Sequence, residues 1–323
     1  MLLVAVYRPN SNWAIEPRYV TRIRGAAGSH FEVAQALTDA DFEAQQTEAE
    51  VMFGWHLTPE NLPLAAKLKW VQATSAGVDW ALWPEFVRSP VILTSAVGIH
   101  TTEMSEHTLL MMLALTRKLP HFTRCQAAKK WDRSVGDEMD ELFEKTLGIL
   151  GLGSIGEALA VRAKAFGMRV LGVKSSPLGY CGAADEVVGP GAIERVCREA
   201  DYVVSLLPLT SATRGIVSSG IIAAMKPSAY FISIGRGATI DEKALTAALE
   251  AGRIAGAGLD VFQEEPLAKK SPLWKMGNVI ITPHVGGLTP RYWERATDLF
   301  CGNLARYIAG EELINVVDKE TGY

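Results

Sequence analysis

Cysteines are few in this sequence, and their spacing predicts neither a disulfide framework nor a metal site. The four cysteines among the 323 residues are Cys125, Cys181, Cys197 and Cys301. They form no C-x-x-C pair and show no local His pairing of the kind that zinc sites use. We therefore expect free thiols, no metal, and the reducing environment of the cytoplasm.

Long apolar runs are also missing, which argues against a membrane protein. The longest membrane-like stretch, residues 109–115, falls far short of the roughly 20 apolar residues that a spanning helix needs. The apolar start at residues 1–7 is shorter than a signal-peptide core, and no basic residues precede it. We expect no membrane partner and a cytoplasmic location.

No excess of charge of either sign points to a highly charged partner. The 32 Lys and Arg residues and the 36 Asp and Glu residues give a formal net charge of -4. No basic run is long enough to follow a phosphate backbone, so we expect no nucleic-acid partner. With 48% hydrophobic and 21% charged residues, the composition is that of an ordinary globular protein. The length favours two domains, because a single core stops growing at about 250–300 residues.

Apolar runs and helical patterns alternate from residue 146 onward. The predicted strands of this part are 147–150, 169–173, 202–206, 230–234, 256–259 and 279–281, and helical patterns such as 158–166 and 242–251 lie between several of them. Such alternation predicts a doubly wound parallel sheet. Residues 2–7, 51–55, 70–72 and 91–93 repeat the rhythm more weakly, which predicts a second, smaller α/β lobe of the flavodoxin-like kind.

Two helical patterns set the predicted domain boundaries. Residues 103–117 would separate the two lobes, and residues 291–309 would return the chain to the first one. We predict a discontinuous smaller domain from residues 1–99 plus 288–323, and a Rossmann domain from residues 100–287. The polar stretch 118–145, which contains Trp131, is predicted to be a loop or an arm that reaches a second subunit.

A glycine-rich turn follows the first strand of the larger domain. The sequence Gly151-Leu-Gly-Ser-Ile-Gly156 lies between a predicted strand and a predicted helix, which is the context that the G-x-G-x-x-G dinucleotide site requires. Gly151 would allow the tight turn, Gly153 the approach of a pyrophosphate, and Gly156 close helix packing. The amides of Ser154 and Ile155 would then face the anion. The alternative is that the glycines only shorten a turn.

The residues after the second strand of this domain favour NADP over NAD. An NAD enzyme usually places Asp or Glu about 20 residues after the glycines to bind the ribose hydroxyls. This sequence has Lys174, Ser175 and Ser176 there, and a cation with two hydroxyls suits a 2′-phosphate. NAD stays open, since a lysine in a solvated loop would look the same.

Three chemically active side chains follow three predicted strands in succession. Arg236 lies between two glycines, which suggests that something approaches the backbone closely, and its planar fork suits a carboxylate and the neighbouring carbonyl oxygen. His284 suits proton donation because imidazole titrates near neutral pH, and Glu265 would orient it. Each residue alone could have a structural role. The ends of parallel strands converge where such sheets bind ligands, which favours a catalytic site.

Together these motifs resemble the D-isomer-specific 2-hydroxyacid dehydrogenase family, which includes glyoxylate and hydroxypyruvate reductases. The similarity covers about residues 98–287 and comprises, in the family's order, GILGLGSIG, SLLPLTSATRGIV, MKPSAYFISIGRGATIDEKAL, GAGLDVFQEEPL and ITPHVGG. It implies reduction of a small 2-keto acid to the D-2-hydroxy acid. Arg236 would bind the substrate carboxylate and carbonyl, His284 would donate the proton, and Glu265 would pair with His284.

The resemblance also implies contacts that the residues alone do not show. The smaller domain would bind the substrate, with the amides of Ala76 and Gly77 on its carboxylate, although this segment by itself indicates only a turn after a strand. The implied cofactor contacts beyond the glycine turn and residues 174–176 are Leu207, Pro208, Thr213, Ile234, Gly235, Arg236, Asp260, His284 and Gly286. A homodimer is implied as well. Glyoxylate and hydroxypyruvate are the first substrates suggested, and a bulkier 2-keto acid stays open.

Other interpretations compete with a 2-keto acid reductase. Phosphoglycerate dehydrogenases often carry a regulatory extension, and the chain ends at Tyr323, too soon for one. Formate dehydrogenases would not use Glu265 and His284 in the same way. A corepressor-like scaffold would sense the dinucleotide without turnover, but such scaffolds tend to add disordered tails. Asp241, followed by Glu-Lys-Ala-Leu, is interpreted as a helix N-cap and not as a catalytic acid.

Overall fold

The chain folds into two compact units, each built on one parallel sheet. The computed structural model describes residues 1–11 and 13–322. One unit comprises Met1–Ile99 and Thr289–Tyr323, and the other comprises His100–Leu288. The first unit is therefore discontinuous in sequence, because the second is inserted into it.

Strands and helices alternate along most of the described chain. The strands are β1 (Leu2–Ala5), β2 (Val33–Gln35), β3 (Val51–Gly54), β4 (Trp70–Gln72), β5 (Ile92–Thr94), β6 (Thr146–Leu150), β7 (Arg169–Val173), β8 (Glu186–Val188), β9 (Tyr202–Ser205), β10 (Tyr230–Ser233), β11 (Gly256–Leu259) and β12 (Val279–Ile281). The α-helices are α1 (Pro17–Ala27), α2 (Asp39–Gln45), α3 (Pro84–Arg88), α4 (Thr101–Thr116), α5 (Leu119–Ala127), α6 (Ser154–Ala165), α7 (Ile193–Glu199), α8 (Ser219–Ala224), α9 (Glu242–Glu250) and α10 (Tyr292–Ala309).

The first unit contains a five-stranded parallel sheet in the order β2-β1-β3-β4-β5. Helices α1 and α10 cover one face, where Phe53 and Phe300 stack with their ring centroids 4.5 Å apart. Beyond α10 the chain returns to the sheet edge, where Val316 forms an antiparallel bridge with Thr94. Residues that lie far apart in sequence thus complete this core.

The second unit contains a seven-stranded parallel sheet in the order β12-β11-β10-β9-β6-β7-β8. The chain order reverses between β6 and β9, and such a switch point is where open α/β sheets bind ligands. Val204 belongs to a core shared with α4 and α6, whereas Val203 belongs to the core shared with α7, α8 and α9. Two parallel-sheet α/β domains confirm the predicted fold class.

Asp241, the residue before α9, is the helix N-cap that the sequence predicts. The Asp241 carboxylate accepts a hydrogen bond from the backbone amide of Ala244 at 3.0 Å, so it caps the helix as predicted.

In the described residues, no helix has both the length and the apolar surface that crossing a membrane would require.

Three elements differ from the sequence prediction. Strands β2 and β8 are not predicted, because each is a three-residue edge strand with half-buried side chains and so lacks a continuous apolar run. The prediction of a loop or arm over 118–145 is wrong in part, because α5 occupies Leu119–Ala127. Trp131, which follows α5, is 94% exposed.

Candidate active site

Two of the three glycines shape the turn that follows β6. Gly151 has φ +98°, and a Cβ there would lie 3.1 Å from the carbonyl group of Leu206. A Cβ on Gly156 would lie 2.8 Å from the Gly151 carbonyl oxygen, so this glycine lets α6 pack against the turn. A Cβ on Gly153 would have no neighbour within 4 Å. Gly153 therefore faces open space.

The start of α6 adds backbone donors to the same turn. Gly153 is the N-cap and makes no side-chain bond to the first-turn amides. The amides of Ser154 and Ile155 thus lack the partner that a capping side chain would provide. Uncapped helix N-termini attract anions. Open space beside uncapped amides fits the pyrophosphate of a dinucleotide.

Lys174 follows β7 and reaches back to this turn. Its Nζ donates to the carbonyl oxygen of Leu152 at 3.0 Å. Ser175 and Ser176 come next along the chain and are exposed. Lys174, Ser175 and Ser176 therefore follow the strand beside the glycine turn, and the ammonium group of Lys174 is hydrogen-bonded to that turn.

Tyr180 connects α6 with the loop that contains Lys174, Ser175 and Ser176. Its hydroxyl donates to Oε2 of Glu157 at 2.8 Å and accepts the backbone amide of Ala184 at 2.9 Å. Burial raises the pKa of Tyr180, and the bond to Glu157 adds to the rise. The phenol thus keeps its proton and holds the loop to the helix.

Arg236 follows β10, and the glycines on both sides of it are required by the protein's own packing. A Cβ on Gly235 would lie 2.7 Å from the Leu207 carbonyl oxygen, and one on Gly237 would lie 2.0 Å from the carbonyl group of Phe262. The close approach that the glycines predict is therefore made by neighbouring loops. Arg236 is half-buried, and its Nη1 donates to the Gly235 carbonyl oxygen at 3.0 Å.

His284 and Glu265 form a direct pair after β12 and β11. The imidazole Nδ1 lies 2.8 Å from Oε2 of Glu265, and the other carboxylate oxygen accepts the backbone amide of Phe262 at 3.0 Å. Because an ionised carboxylate can only accept, Nδ1 carries the proton in this bond. Nε2 is then the ring nitrogen that can exchange a proton with a ligand.

The backbone of His284 is held in an uncommon conformation. Its φ is +53°, and its amide donates to the carbonyl oxygens of Asp260 at 2.9 Å and Thr282 at 3.1 Å. A left-handed conformation is rare for residues other than glycine, and it occurs where the surrounding structure enforces it, often at functional sites. The His284 side chain is 47% exposed, so the ring is accessible as well as positioned.

Asp260 accepts several hydrogen bonds from the loop that follows β12. Its carboxylate accepts the hydroxyl of Thr282 and, each at 2.9 Å, the amides of Val285 and Gly286. His107 from α4 lies 3.1 Å from Oγ1 of Thr282 and 3.6 Å from Oδ1 of Asp260. These partners account for a carboxylate that is only 1% exposed, because buried charge needs hydrogen bonds.

In the first unit, Ala76 and Gly77 form a turn after β4. The Ser75 hydroxyl donates to the Gly77 carbonyl oxygen at 2.7 Å and accepts the indole N–H of Trp80 at 3.3 Å. Within the described residues, neither the amide of Ala76 nor that of Gly77 has a hydrogen-bond acceptor. Adjacent unpaired amides are donors suited to an anion.

Comparison with known proteins identifies the family. The sequence model of the D-isomer specific 2-hydroxyacid dehydrogenase, NAD binding domain, matches residues 109–286, which is more than half of the chain. The chain belongs to the D-isomer specific 2-hydroxyacid dehydrogenase family. The resemblance stated from the sequence motifs is thereby confirmed, and the family is one of oxidoreductases.

Individual members are similar over most of this chain. D-3-phosphoglycerate dehydrogenase of Methanocaldococcus jannaschii is 35% identical over 89% of this chain and 55% of that protein, so the chain spans about half the length of this relative. A solved D-isomer specific 2-hydroxyacid dehydrogenase family protein from Aeromonas salmonicida subsp. salmonicida is 33% identical, with a TM-score of 0.86 over 98% of this chain and 99% of that one. NADPH-dependent glyoxylate/hydroxypyruvate reductase of Sinorhizobium meliloti, solved with NADP and sulfate, is 29% identical, with a TM-score of 0.83 over 100% and 99% of the chains.

Four further predicted cofactor residues lie in the segments that follow β9 and β10, namely Leu207, Pro208, Thr213 and Ile234. Leu207 is buried and Pro208 is exposed after β9, and the Thr213 hydroxyl donates to the Pro208 carbonyl oxygen at 2.6 Å. The amide of Ile234 donates to the Ser205 carbonyl oxygen at 3.2 Å. These bonds hold the segments after β9 and β10 at the carboxyl end of the sheet, where β9 borders the switch point.

His107 is a residue of the candidate site that the sequence does not point to. It lies in the apolar run of α4, where a single histidine looks like any packed core residue. No spacing in the sequence relates it to Asp260 or to Thr282. The contact exists only because the fold packs α4 beside the carboxyl ends of β11 and β12.

Proposed function

We propose that the protein reduces a small 2-keto acid to the D-2-hydroxy acid with NADP(H) as the preferred cofactor, and that glyoxylate or hydroxypyruvate is the substrate. The observation that carries the proposal is the pair of His284 and Glu265, with Nδ1 2.8 Å from Oε2 and the ring accessible. A histidine oriented in this way can act as a general acid.

The residues around the glycine turn fit a dinucleotide. The open space at Gly153, the uncapped amides of Ser154 and Ile155, and the anchored ammonium group of Lys174 suit a pyrophosphate and a 2′-phosphate. The nicotinamide cofactor, when bound, supplies the hydride that reduces the keto carbon. The chain's own task is to bind the substrate, protonate its oxygen and hold both partners in position.

His284 donates the proton in the reducing direction. The proton on Nε2 passes to the substrate oxygen as negative charge develops there. The Nδ1 proton stays on the ring and remains hydrogen-bonded to Glu265. General acid catalysis of this kind contributes roughly 100-fold to 10,000-fold. In the oxidising direction the neutral ring would take the hydroxyl proton at the same nitrogen.

Arg236 is proposed to bind the substrate carboxylate and to stabilise charge on the neighbouring oxygen. Its planar guanidinium matches a carboxylate with two parallel hydrogen bonds, which an ammonium group cannot reproduce. The packing of Gly235 and Gly237 against Leu207 and Phe262 fixes the backbone from which the side chain extends. The amides of Ala76 and Gly77 are proposed as further donors to the substrate carboxylate.

The relative from Sinorhizobium meliloti supports the choice of cofactor and substrate. It is described as an NADPH-dependent glyoxylate/hydroxypyruvate reductase and was solved with NADP. The presence of Lys174, Ser175 and Ser176 where NAD enzymes usually have a carboxylate agrees with that cofactor. A homodimer and a cytoplasmic location stay predictions, and Trp131, with 94% of its surface exposed, is the proposed subunit contact.

The test is a steady-state assay of cofactor oxidation with NADPH and with NADH. The substrates are glyoxylate, hydroxypyruvate, pyruvate and a branched 2-keto acid. We expect turnover of glyoxylate or hydroxypyruvate with NADPH, and a higher KM with a lower kcat in Arg236→Ala. Arg198→Ala, which removes an exposed arginine paired with Glu194, is the control and should match the wild type.

Other outcomes decide between the remaining functions. Turnover that prefers NADH would keep the reductase and contradict the cofactor preference. Tight cofactor binding with no turnover on any substrate would contradict the reductase and favour the dinucleotide-sensing scaffold. A 35.0 kDa particle in sedimentation would contradict the homodimer.

A further inference from the structure

A histidine, a cysteine and an aspartate come together at the end of α5, away from the glycine turn and the His284 pair. His121 and Cys125 are four residues apart on α5, so both side chains lie on the same helix face. The His121 Nε2 lies 3.3 Å from the Cys125 Sγ and 3.8 Å from Oδ2 of Asp132. From the sequence we expect no metal site and no local His pairing, whereas helical i,i+4 spacing makes His121 and Cys125 neighbours in the structure.

The chain reversal after α5 fixes the third group. Lys129 adopts a left-handed φ of +54°, and the amide of Lys130 donates to the Cys125 carbonyl oxygen at 2.9 Å, as in a helix C-cap. This turn brings Asp132 back to the helix. Its Oδ1 accepts the amide of Ser134 at 2.8 Å, and its side chain is only 12% exposed. The carboxylate is therefore held in place with Oδ2 towards His121.

The separations of these three atoms are close to those of ligands on one small metal ion. The imidazole nitrogen, the sulfur and the carboxylate oxygen all lie within 4.8 Å of one another. Zinc binds nitrogen, sulfur and oxygen at roughly 2.0 to 2.3 Å, which in a tetrahedron puts neighbouring ligand atoms roughly 3.3 to 3.7 Å apart. Two of the measured separations are at or just above this range, so small side-chain rotations would complete the site.

We infer that His121, Cys125 and Asp132 form a binding site for a divalent ion of the zinc class. A thiolate and an imidazole select zinc-like ions over magnesium and calcium, which prefer oxygen alone. A thiolate and a carboxylate also balance the two charges of the ion. The thiol proton is released to solvent on binding, since only the thiolate is a ligand.

Lys130 pairs with the same oxygen of Asp132 that the ion would use. Its ammonium Nζ lies 2.6 Å from Oδ2, the oxygen that faces His121. The lysine side chain is 66% exposed, so this ion pair is an easily exchanged surface interaction. An ion that also binds His121 and Cys125 displaces the ammonium group from Asp132. It thereby links α5 to the segment that contains Trp131.

The direct test is titration of the intact, metal-stripped protein with Co²⁺ as the spectroscopic probe. We expect one Co²⁺ per chain, with a thiolate-to-metal charge-transfer band, and displacement of Co²⁺ by one equivalent of Zn²⁺. Cys125→Ser should abolish the band and weaken Zn²⁺ binding by at least about 100-fold, since loss of groups that merely support metal ligands already costs roughly 10- to 100-fold. The control Cys181→Ser, which removes an exposed thiol, should leave band and affinity unchanged.

A second pair of variants separates loss of a ligand from damage to the fold. Lys130→Ala removes the competing ammonium group and should tighten Zn²⁺ binding by about 1.5- to 5-fold, the worth of an exposed ion pair. Misfolding cannot produce such a gain. Lys164→Ala, which removes a lysine paired with Asp185, is the matched control and should leave the affinity unchanged.

Protection of the thiols from alkylation gives an independent readout by peptide mass spectrometry. Zn²⁺ should slow the labelling of Cys125 and leave that of Cys181 unchanged in the same sample. The site is overturned if Co²⁺ gives no thiolate band at one equivalent, if Zn²⁺ protects both cysteines alike, or if Lys130→Ala binds Zn²⁺ no more tightly than Lys164→Ala. Any of these results would leave the contact between His121 and Cys125 as an ordinary hydrogen bond.

Discussion

The Glu265 carboxylate bridges the His284 ring and the backbone of the loop after β11. One oxygen lies 2.8 Å from Nδ1 of His284, and the other accepts the amide of Phe262 at 3.0 Å. The carboxylate is thus fixed by its own loop before it orients the imidazole. Glu265 acts on the substrate only through the ring, which makes it a positioning residue in the proposed reaction.

A double-mutant comparison tests this relationship. We expect His284→Ala to lower kcat by roughly 100-fold to 10,000-fold, the usual worth of a general acid. Glu265→Gln should cause a smaller loss. In the His284→Ala background, Glu265→Gln should have almost no further effect, because the two residues act as one unit. Steady-state kinetics of the four proteins measure this, and additive losses would mean that Glu265 has a separate role.

The cofactor preference is tested at Lys174. We expect Lys174→Ala to raise the KM for NADPH by about tenfold or more, since a hydrogen bond to a charged group contributes about 1.5 to 3 kcal/mol. The KM for NADH should change little. Lys275→Ala, at an exposed lysine, is the control for loss of one positive charge. An equal rise for both cofactors would show that Lys174 only supports the glycine turn, through its bond to Leu152.

The buried carboxylate of Asp260 should stabilise the folded protein, because it accepts hydrogen bonds from the loop after β12. Val285 and Gly286 donate to different oxygens of Asp260, so Asp260→Asn leaves one of these two amides facing an NH2 donor instead of an acceptor. We expect the free energy of unfolding to fall by about 1.5 to 3 kcal/mol. Denaturant unfolding measures it, with Glu264→Gln at an exposed position as the control. Equal stability of the two variants would contradict this role.

The stability of the first unit should depend on pH through His56. Burial lowers the pKa of His56 from 6.5, and its ring stacks on Tyr7 with the centroids 3.8 Å apart. The unfolded chain therefore binds the proton more readily than the folded one. This contribution to stability is fully present above pH 6.5 and is lost as the pH falls through 6.5 towards the lower folded value.

A variant isolates this effect from the other histidines. His56→Phe keeps an aromatic ring and cannot titrate. Thermal unfolding at about pH 7.5 and about pH 5.5, on either side of the ordinary histidine pKa, should show a larger acid-induced loss in the wild type than in His56→Phe. Parallel losses would mean that His56 is protonated as easily in the folded state.

Much of the second unit follows from local patterns in the sequence. The glycine turn and strands β7, β11 and β12 are predicted at the observed positions, because buried parallel strands bounded by turns leave continuous apolar runs. The pairing of His284 with Glu265 is also expected, since the ends of neighbouring parallel strands converge. Edge strands β2 and β8 lack such a run, and their place in the sheets depends on partners elsewhere in the chain.

Contacts that depend on tertiary packing could not be predicted in this way. His107 reaches Thr282 only because α4 packs against the second sheet. The glycines beside Arg236 suggest a close approach, but the sequence does not reveal that Leu207 and Phe262 make it. The prediction of an irregular segment over 118–145 follows its polarity, whereas α5 forms there with only partly buried side chains.

The insertion of one unit into the other has a consequence for the order of events during synthesis. The first sheet needs Phe300 from α10 to cover Phe53 and Val316 to extend its edge beside Thr94. The nascent chain therefore carries a sheet with one face only partly covered, by α1, until the ribosome has passed all of the inserted unit. The inserted unit is contiguous and can finish folding earlier. We expect chaperones that protect exposed apolar strands to engage the amino-terminal segment of this protein for most of its translation.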